Sequence, residues 1–203
     1  MSDVSTPGTR ERLITAMTDA LRRRGLHGIG LTELLQQAGA PKGVLYHHFP
    51  GGKTELAIAA IDAVVDRMLR GLDALLAATP DPRDALRRWV GGATARLQDS
   101  GFESGCPLAT VALESTAHDA ALREALARAF TRLRERIAQA LERAGEPRAQ
   151  ALGLAALIVA AYEGGLLQAR VAQSSEPIQQ AMTSLLALLP ARPTGAGAHP
   201  EGA

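Results

Sequence analysis

Cysteine is almost missing: Cys106 stands alone in 203 residues, so no disulfide can close within the chain. Aromatic residues are only 3% of the sequence, and strand formers are sparse. Ala and Leu dominate a 46% hydrophobic content, which favours helix nearly throughout. Charge of one sign is lacking too. The 22 basic and 21 acidic residues leave a formal net charge of +1, which excludes a polyanion binder that works by bulk charge. The N-terminal Met1-Ser2-Asp3-Val4 has no apolar stretch, so a usual signal peptide is not expected. The most apolar run, Leu152 to Tyr162, is too short to cross a bilayer and ends at Glu163. A soluble, cytoplasmic protein with no membrane partner is the expectation. A nucleophile elbow, a glycine loop for phosphate and a ligand cluster for a metal are also lacking. An enzyme is therefore not expected, nor a metal or cofactor.

What is present is concentrated at the front. Up to Lys53 the chain has seven bases (Arg10, Arg12, Arg22, Arg23, Arg24, Lys42, Lys53) against four acids, with His27, His47 and His48 besides. A modest positive excess on a small module, carried by a nearly neutral body, suits contact with DNA. The run Arg22 to Arg24 loads a helix C-terminus with positive charge and reads as a solvated helix end.

Apolar spacing and Gly/Pro punctuation predict nine helices and no strand. They cover about 10–24, 31–38, 41–49, 53–78, 83–98, 107–115, 119–144, 147–172 and 176–189. Thr9 is the expected N-cap of the first and Pro41 the opening residue of the third. Residues 1–8 read as a flexible arm and 190–203, rich in Pro, Gly and Ala, as a disordered tail. Two short helices joined by Gly39-Ala40 have the dimensions of a helix-turn-helix. On the second of them Leu45 and Phe49, one turn apart, can anchor against Leu34, Leu35 and Ala38. Lys42 and Tyr46, with Gly43 and His47 beside them, then face outward. Such a helix has an apolar back that fixes it and a front that reaches base edges. Lys42 can donate to guanine or phosphate, Gly43 allows close approach, Val44 can touch a thymine methyl and His47 can reach a base or phosphate. Plainer readings exist: Tyr46 as a cover for the core edge, His48 as a structural histidine. His47 and His48 point about 100° apart and make a poor chelate.

The stretch Gly39-Ala40-Pro41-Lys42-Gly43-Val44-Leu45-Tyr46-His47-His48-Phe49 resembles the turn and recognition helix of the TetR family of transcriptional regulators, of form AG-x-x-KG-x-LY-x-HF. The close match covers about residues 9–68. The one-residue-longer linker Pro50-Gly51-Gly52-Lys53, with Gly105-Cys106-Pro107 and Val111-Ala112-Leu113-Glu114, resembles the LmrA/YxaF-type branch. Pro41 departs from the Ser or Thr usual at that position. The resemblance implies an all-α fold: a helix-turn-helix domain at 9–68 and a ligand-binding and dimerisation domain at 69–189. It also implies that Tyr46, His48 and Lys53 contact phosphate, with Thr32 and the start of its helix meeting the backbone of operator DNA.

A ligand pocket among the middle helices is implied as well. Its candidate lining is Trp89, Phe102, Leu108, Val111, Phe130, Leu133 and Tyr162, although each is also a natural core residue. Few charges stand in those helices, so an apolar or aromatic small-molecule effector is expected. The last two helices are apolar on more than one side, through Leu154, Leu157, Ile158, Ala161, Tyr162, Gly165 and Leu166 on one and Met182, Leu185, Leu186 and Leu189 on the other. They predict a homodimer closed by a four-helix bundle, the plainer alternative being that both helices are internal. Repression is the habit of the family, whose members in this branch often control efflux or drug-response genes. A constitutive DNA-binding protein without an effector is the competing reading. Cys106 is either a redox sensor or, beside a proline and buried, inert.

Overall fold

Helical spacing broken by glycine and proline produces nine α-helices among the residues described, 8–189 of a computed structural model, and no strand among them. They are α1 (Thr9–Arg23), α2 (Leu31–Ala38), α3 (Lys42–His48), α4 (Gly52–Ala78), α5 (Pro82–Asp99), α6 (Pro107–Glu114), α7 (Ala120–Arg143), α8 (Arg148–Ala172) and α9 (Glu176–Ala187). Gly8 apart, the arm expected at 1–8 lies outside the described residues, as does the tail at 190–203.

Two helix starts differ from expectation. Thr9 is the first helical residue rather than the cap; Gly8 takes that place, and its N–H donates to the Glu11 carboxylate at 3.2 Å. Pro41, at φ −66° and ψ 151°, is the N-cap of α3 rather than its first residue, with no side-chain cap. The Pro φ is already that of an extended lead-in, so α3 begins without a hydroxyl.

The first three helices close on one another because each offers one apolar stripe. Leu13, Met17 and Leu21 of α1 meet Leu34 and Leu35 of α2 and Leu45 of α3, all buried. Each such side chain contributes about 1.5–3 kcal/mol when taken fully from water. Helix α4 carries the joint between this module and the body: it packs on α1, α5 and α7. It runs unbroken through residues 68 and 69, so the expected domain boundary falls inside one helix. Behind it α7, α8 and α9 pack in series.

At 25 residues α8 is long and apolar enough to cross a bilayer by length and composition, unlike the shorter run singled out in the sequence. Helix continues through Glu163, which extends the stretch. One face of α8 (Ala151, Ala155, Ile158, Val159, Tyr162, Leu166, Ala169) is buried in the bundle, as in a core helix.

The C-terminal end of α1 is clasped by the body. The carbonyl of Arg22 accepts from the Gly105 N–H at 3.1 Å and that of Arg23 from Arg170 Nη2 at 3.2 Å. Arg23 also pairs with Glu103 at 2.9 Å. The last residue of α6, Glu114, accepts the Leu26 N–H at 2.5 Å. Its carboxylate occupies the space where a Cβ on Gly25 would sit, and Gly25 is in the left-handed region at φ +76°. Only glycine suits both conditions.

Candidate nucleic-acid interface

The recognition face follows from one turn of helix. Leu45 and Phe49 are fully buried behind α3, while Lys42, Gly43, Tyr46 and His47 are exposed on its front. Val44 and His48 are half-buried at the margins, less outward than the spacing suggested. Thr32 and Pro41 are exposed beside them. The row is held from several sides. Arg10 stacks its guanidinium over the Phe49 ring, 5.3 Å from the centroid. The Phe49 ring also lies edge-on to His48 at 6.5 Å, and His48 to His47 at 5.1 Å. Arg12 Nε donates to the Ala38 carbonyl at 3.0 Å, which ties α1 to the turn before α3. Neither arginine was singled out in the sequence, since each partner lies more than twenty residues away.

Gly52, at φ +66°, turns the chain from α3 into α4, and its N–H donates to the Phe49 carbonyl at 2.8 Å. Lys53 follows. Its ammonium is half-buried and donates to the Ile29 carbonyl at 2.6 Å. Burial holds its pKa below the usual lysine value, with Glu114 pulling weakly the other way. Lys53 thus braces the α1–α2 connection against α4. Two of its three N–H donors remain for another acceptor.

Of the seven residues expected to line a pocket, Trp89 borders one and Tyr162 the other of two adjoining hollows between α1, α4, α5 and α8. Their rings stack at 4.8 Å, and the Trp89 indole N–H donates to the Met68 carbonyl at 3.1 Å. Leu108, Val111 and Leu133 are wholly buried core, and Phe102 and Phe130 are half-buried; none of the five borders these hollows. Phe102 holds a left-handed φ of +63° in the turn after α5.

The Arg22–Arg24 run is not uniformly a solvated end. Arg23 and Arg24 are exposed ion-paired residues, Arg24 to Glu33 at 2.6 Å. Arg22 is half-buried and borders both hollows. The sequence does carry a signal for this: Ile14, Thr18 and Arg22 form a stripe at four-residue spacing beside Leu13, Met17 and Leu21, and Thr18 is buried.

Cys106, the N-cap of α6, is buried and donates its thiol to Glu163 Oε1 at 3.1 Å. Burial, then the nearby Glu163, push the thiol well above its ordinary pKa. That favours an inert thiol over a reactive thiolate. Glu163 Oε2 is sealed from solvent and has no hydrogen-bond partner among the described residues. Burial raises this carboxyl to about 7, against a smaller opposing effect of the thiol hydrogen bond.

On the outside of α8 and α9, Leu157, Leu167, Val171 and Leu188 are exposed. Apolar spacing in the sequence points to Leu157 but not to the other three. Met182, Leu186 and Leu189 turn inward instead.

Comparison with known proteins converges on this geometry. Residues 13–60 match the family model for bacterial regulatory proteins of the tetR family, and residues 82–184 that for the C-terminal domain of LmrA/YxaF-like transcriptional regulators. An uncharacterized HTH-type transcriptional regulator of Mycobacterium tuberculosis is 34% identical over 201 residues, covering 91% of this chain and 98% of that one. The HTH-type transcriptional regulator LmrA of Bacillus subtilis is 28% identical over 170 residues, covering 84% and 90%. The crystal structure of Escherichia coli NemR in its reduced form superposes with a TM-score of 0.74 at 27% identity, over 92% of this chain and all of that one.

Proposed function

The chain belongs to the TetR family of bacterial regulatory proteins, in its LmrA/YxaF-like branch, and on that premise we propose that this DNA-binding transcriptional regulator is a cytoplasmic repressor. It binds a palindromic operator as a homodimer and lets go when a small aromatic effector enters the body. The carrying observation is the exposed row Lys42, Tyr46 and His47 set opposite the buried Leu45 and Phe49. Gly43 adds to it. A Cβ there would meet no atom within 4 Å, so the fold does not require glycine at that position. Close approach of DNA does.

In this reading Lys42, Gly43, Val44 and His47 face base edges in the major groove, while Thr32, Pro41, Tyr46, His48 and Lys53 set the register on phosphates. Single modules of this size bury too little DNA for specific binding, so two act together, about one helical turn apart. Leu157, Leu167, Val171 and Leu188 supply the apolar face that α8 and α9 offer a second copy. Effector and operator favour different spacings of the two recognition helices, so each weakens the other.

Selection of bound DNA from the region upstream of the coding sequence tests the first part. A palindrome bound by a dimer, with affinity falling steeply in salt, is the expected outcome. Lys53→Ala weakens every sequence and flattens the salt dependence; an unchanged salt slope removes Lys53 from the phosphate contacts. Leu157→Glu with Val171→Glu gives a monomer by sedimentation that has lost the operator. A monomer that keeps full affinity contradicts the dimer.

A further inference from the structure

We infer that the adjoining hollows between α1, α4, α5 and α8 form a site for a small aromatic carboxylate, gripped by Arg22 and Arg96 and stacked against the Trp89–Tyr162 wall. This deepens the effector-binding reading above and rests on it. It adds a negative charge to the apolar or aromatic effector expected from the sequence.

The first hollow holds about 190 Å³ and the second about 40 Å³; they share Arg22, Val64, Met68 and Arg96 as lining. A dry cavity of about 150 Å³ accommodates a benzene molecule, so one substituted ring fits the larger hollow. The electrostatics choose its substituent. Arg22, Arg67, Arg88 and Arg96 border these hollows, and no carboxylate does. Among the described residues none of the four makes an ion pair or a hydrogen bond through its side chain, whereas eight other arginines are paired. Two of the acids near Arg67 on α4 are taken elsewhere: Asp66 pairs with Arg132 and Asp73 with Arg136, both on α7.

The guanidinium of Arg22 is held below its ordinary pKa by burial first, then by the like charges of Arg67 and Arg96; Asp19 and Cys106 offset this in part. Clustered cations in a recess carry a standing repulsion that a bound anion relieves. Guanidinium forks match a carboxylate in geometry as well as charge. Arg88, Gly92 and Arg96 lie one turn apart on α5, which lines up two of the forks along one wall. Tyr162 contributes a hydroxyl with no hydrogen-bond partner among the described residues, and Trp89, its N–H already used, contributes a ring face. The larger hollow between α5 and α9, about 390 Å³, has one cation, Arg87, already paired with Asp84, so it lacks this anchor.

Arg22 also gives the site a route to DNA. It belongs to α1, whose end is tied to the body through its own carbonyl and Gly105. The same helix carries Arg12, bonded to the Ala38 carbonyl in the turn before the recognition helix. An anion that draws Arg22 toward Arg96 pulls on the helix against which the reading head is seated.

The test uses phenylacetate and its neutral partner phenylacetamide on the full chain, at constant ionic strength, with acetate as the control anion. At about a hundred times its dissociation constant, phenylacetate raises Tm by roughly 5 °C; the amide and acetate do not. Arg22→Gln folds and weakens phenylacetate binding at least about tenfold, while Arg87→Gln leaves it unchanged. Equal stabilisation by the amide or acetate overturns the inference, as does full binding by Arg22→Gln or no effect of phenylacetate at all. Operator binding without added ligand is measured in parallel. Its absence counts against the regulator reading, whereas intact DNA binding without a carboxylate response counts against this site alone.

Discussion

The recognition face and the arginine-lined hollow are both positive regions, yet they are assembled in opposite ways. The first is local: Lys42 through Phe49 divide into front and back within two turns of one helix, so eight residues contain its outward row and the side chains that seat it. The second is dispersed. Its cations come from α1, α4 and α5, and its rings from α5 and α8. In the proposed reading the exposed face would meet its ligand by projecting, the hollow by leaving charges uncompensated. A site built by local periodicity survives small shifts of the body; one built by convergence does not. That asymmetry suits the proposed regulator, whose reader would keep its shape while its sensor changes.

The sharpest way to break the local side of the comparison is Phe49→Ala. It removes a wholly buried ring that seats α3, and we expect a loss of about 3–5 kcal/mol in chemical denaturation. A loss under about 1 kcal/mol would mean that the reading helix is not pinned from behind. Next comes the sealed carboxyl behind Cys106, a residue that borders the smaller hollow. Glu163 takes up a proton more readily in the folded chain than in the unfolded one, its pKa raised from 4.5 to about 7. Its stabilising influence is complete below the unfolded value and fades as pH climbs through the folded value. The wild type therefore loses up to about 3 kcal/mol between pH 4.5 and 7 from this group. Glu163→Gln flattens that slope in Tm measured against pH; an unaltered slope rules out the sealed carboxyl as its source.

A smaller effect separates the roles within the recognition face. Lys42→Ala or His47→Ala reduces discrimination between operator and mismatched DNA by about 1–3 kcal/mol. Tyr46→Phe, by contrast, weakens all sequences alike, which a competition assay with mismatched duplexes resolves. Smallest is Arg24→Ala, which breaks only the exposed pair to Glu33. Tm stays within about a degree, as for most surface ion pairs.

Much of this was legible beforehand, and the reasons are physical. Helix ranges came out within a residue or two because Gly39, Pro41, Pro82, Pro107 and Gly145-Glu146-Pro147 punctuate strong apolar spacing. The back of α3 was legible since Leu45 and Phe49 sit one turn apart. Val44 was less so: at the edge of a short helix, a small shift in the angle of the helix decides its exposure. The hollow was the hardest part. Phe102, Leu108, Val111, Phe130 and Leu133 are large side chains of the kind that line cavities, but such residues fill space just as well. The arginines were overlooked since a charge on a helix is ordinarily solvated, and whether it finds a partner depends on residues up to a hundred positions away. Likewise, nothing in the local pattern announces that Lys53 reaches the Ile29 carbonyl.

The joint between Gly25 and Glu114 has a consequence for how such proteins diversify. A carboxylate there hooks onto main chain, and the residue opposite contributes no side chain. The α1–α2 connection is thus tied to α6 by a main-chain contact that substitutions of the surrounding side chains leave in place. Sensors can then be exchanged or retuned, by drift or by an engineer building a reporter, while the reader keeps its footing. Loss of the glycine would strand the reader in whatever pose the displaced carboxylate imposed.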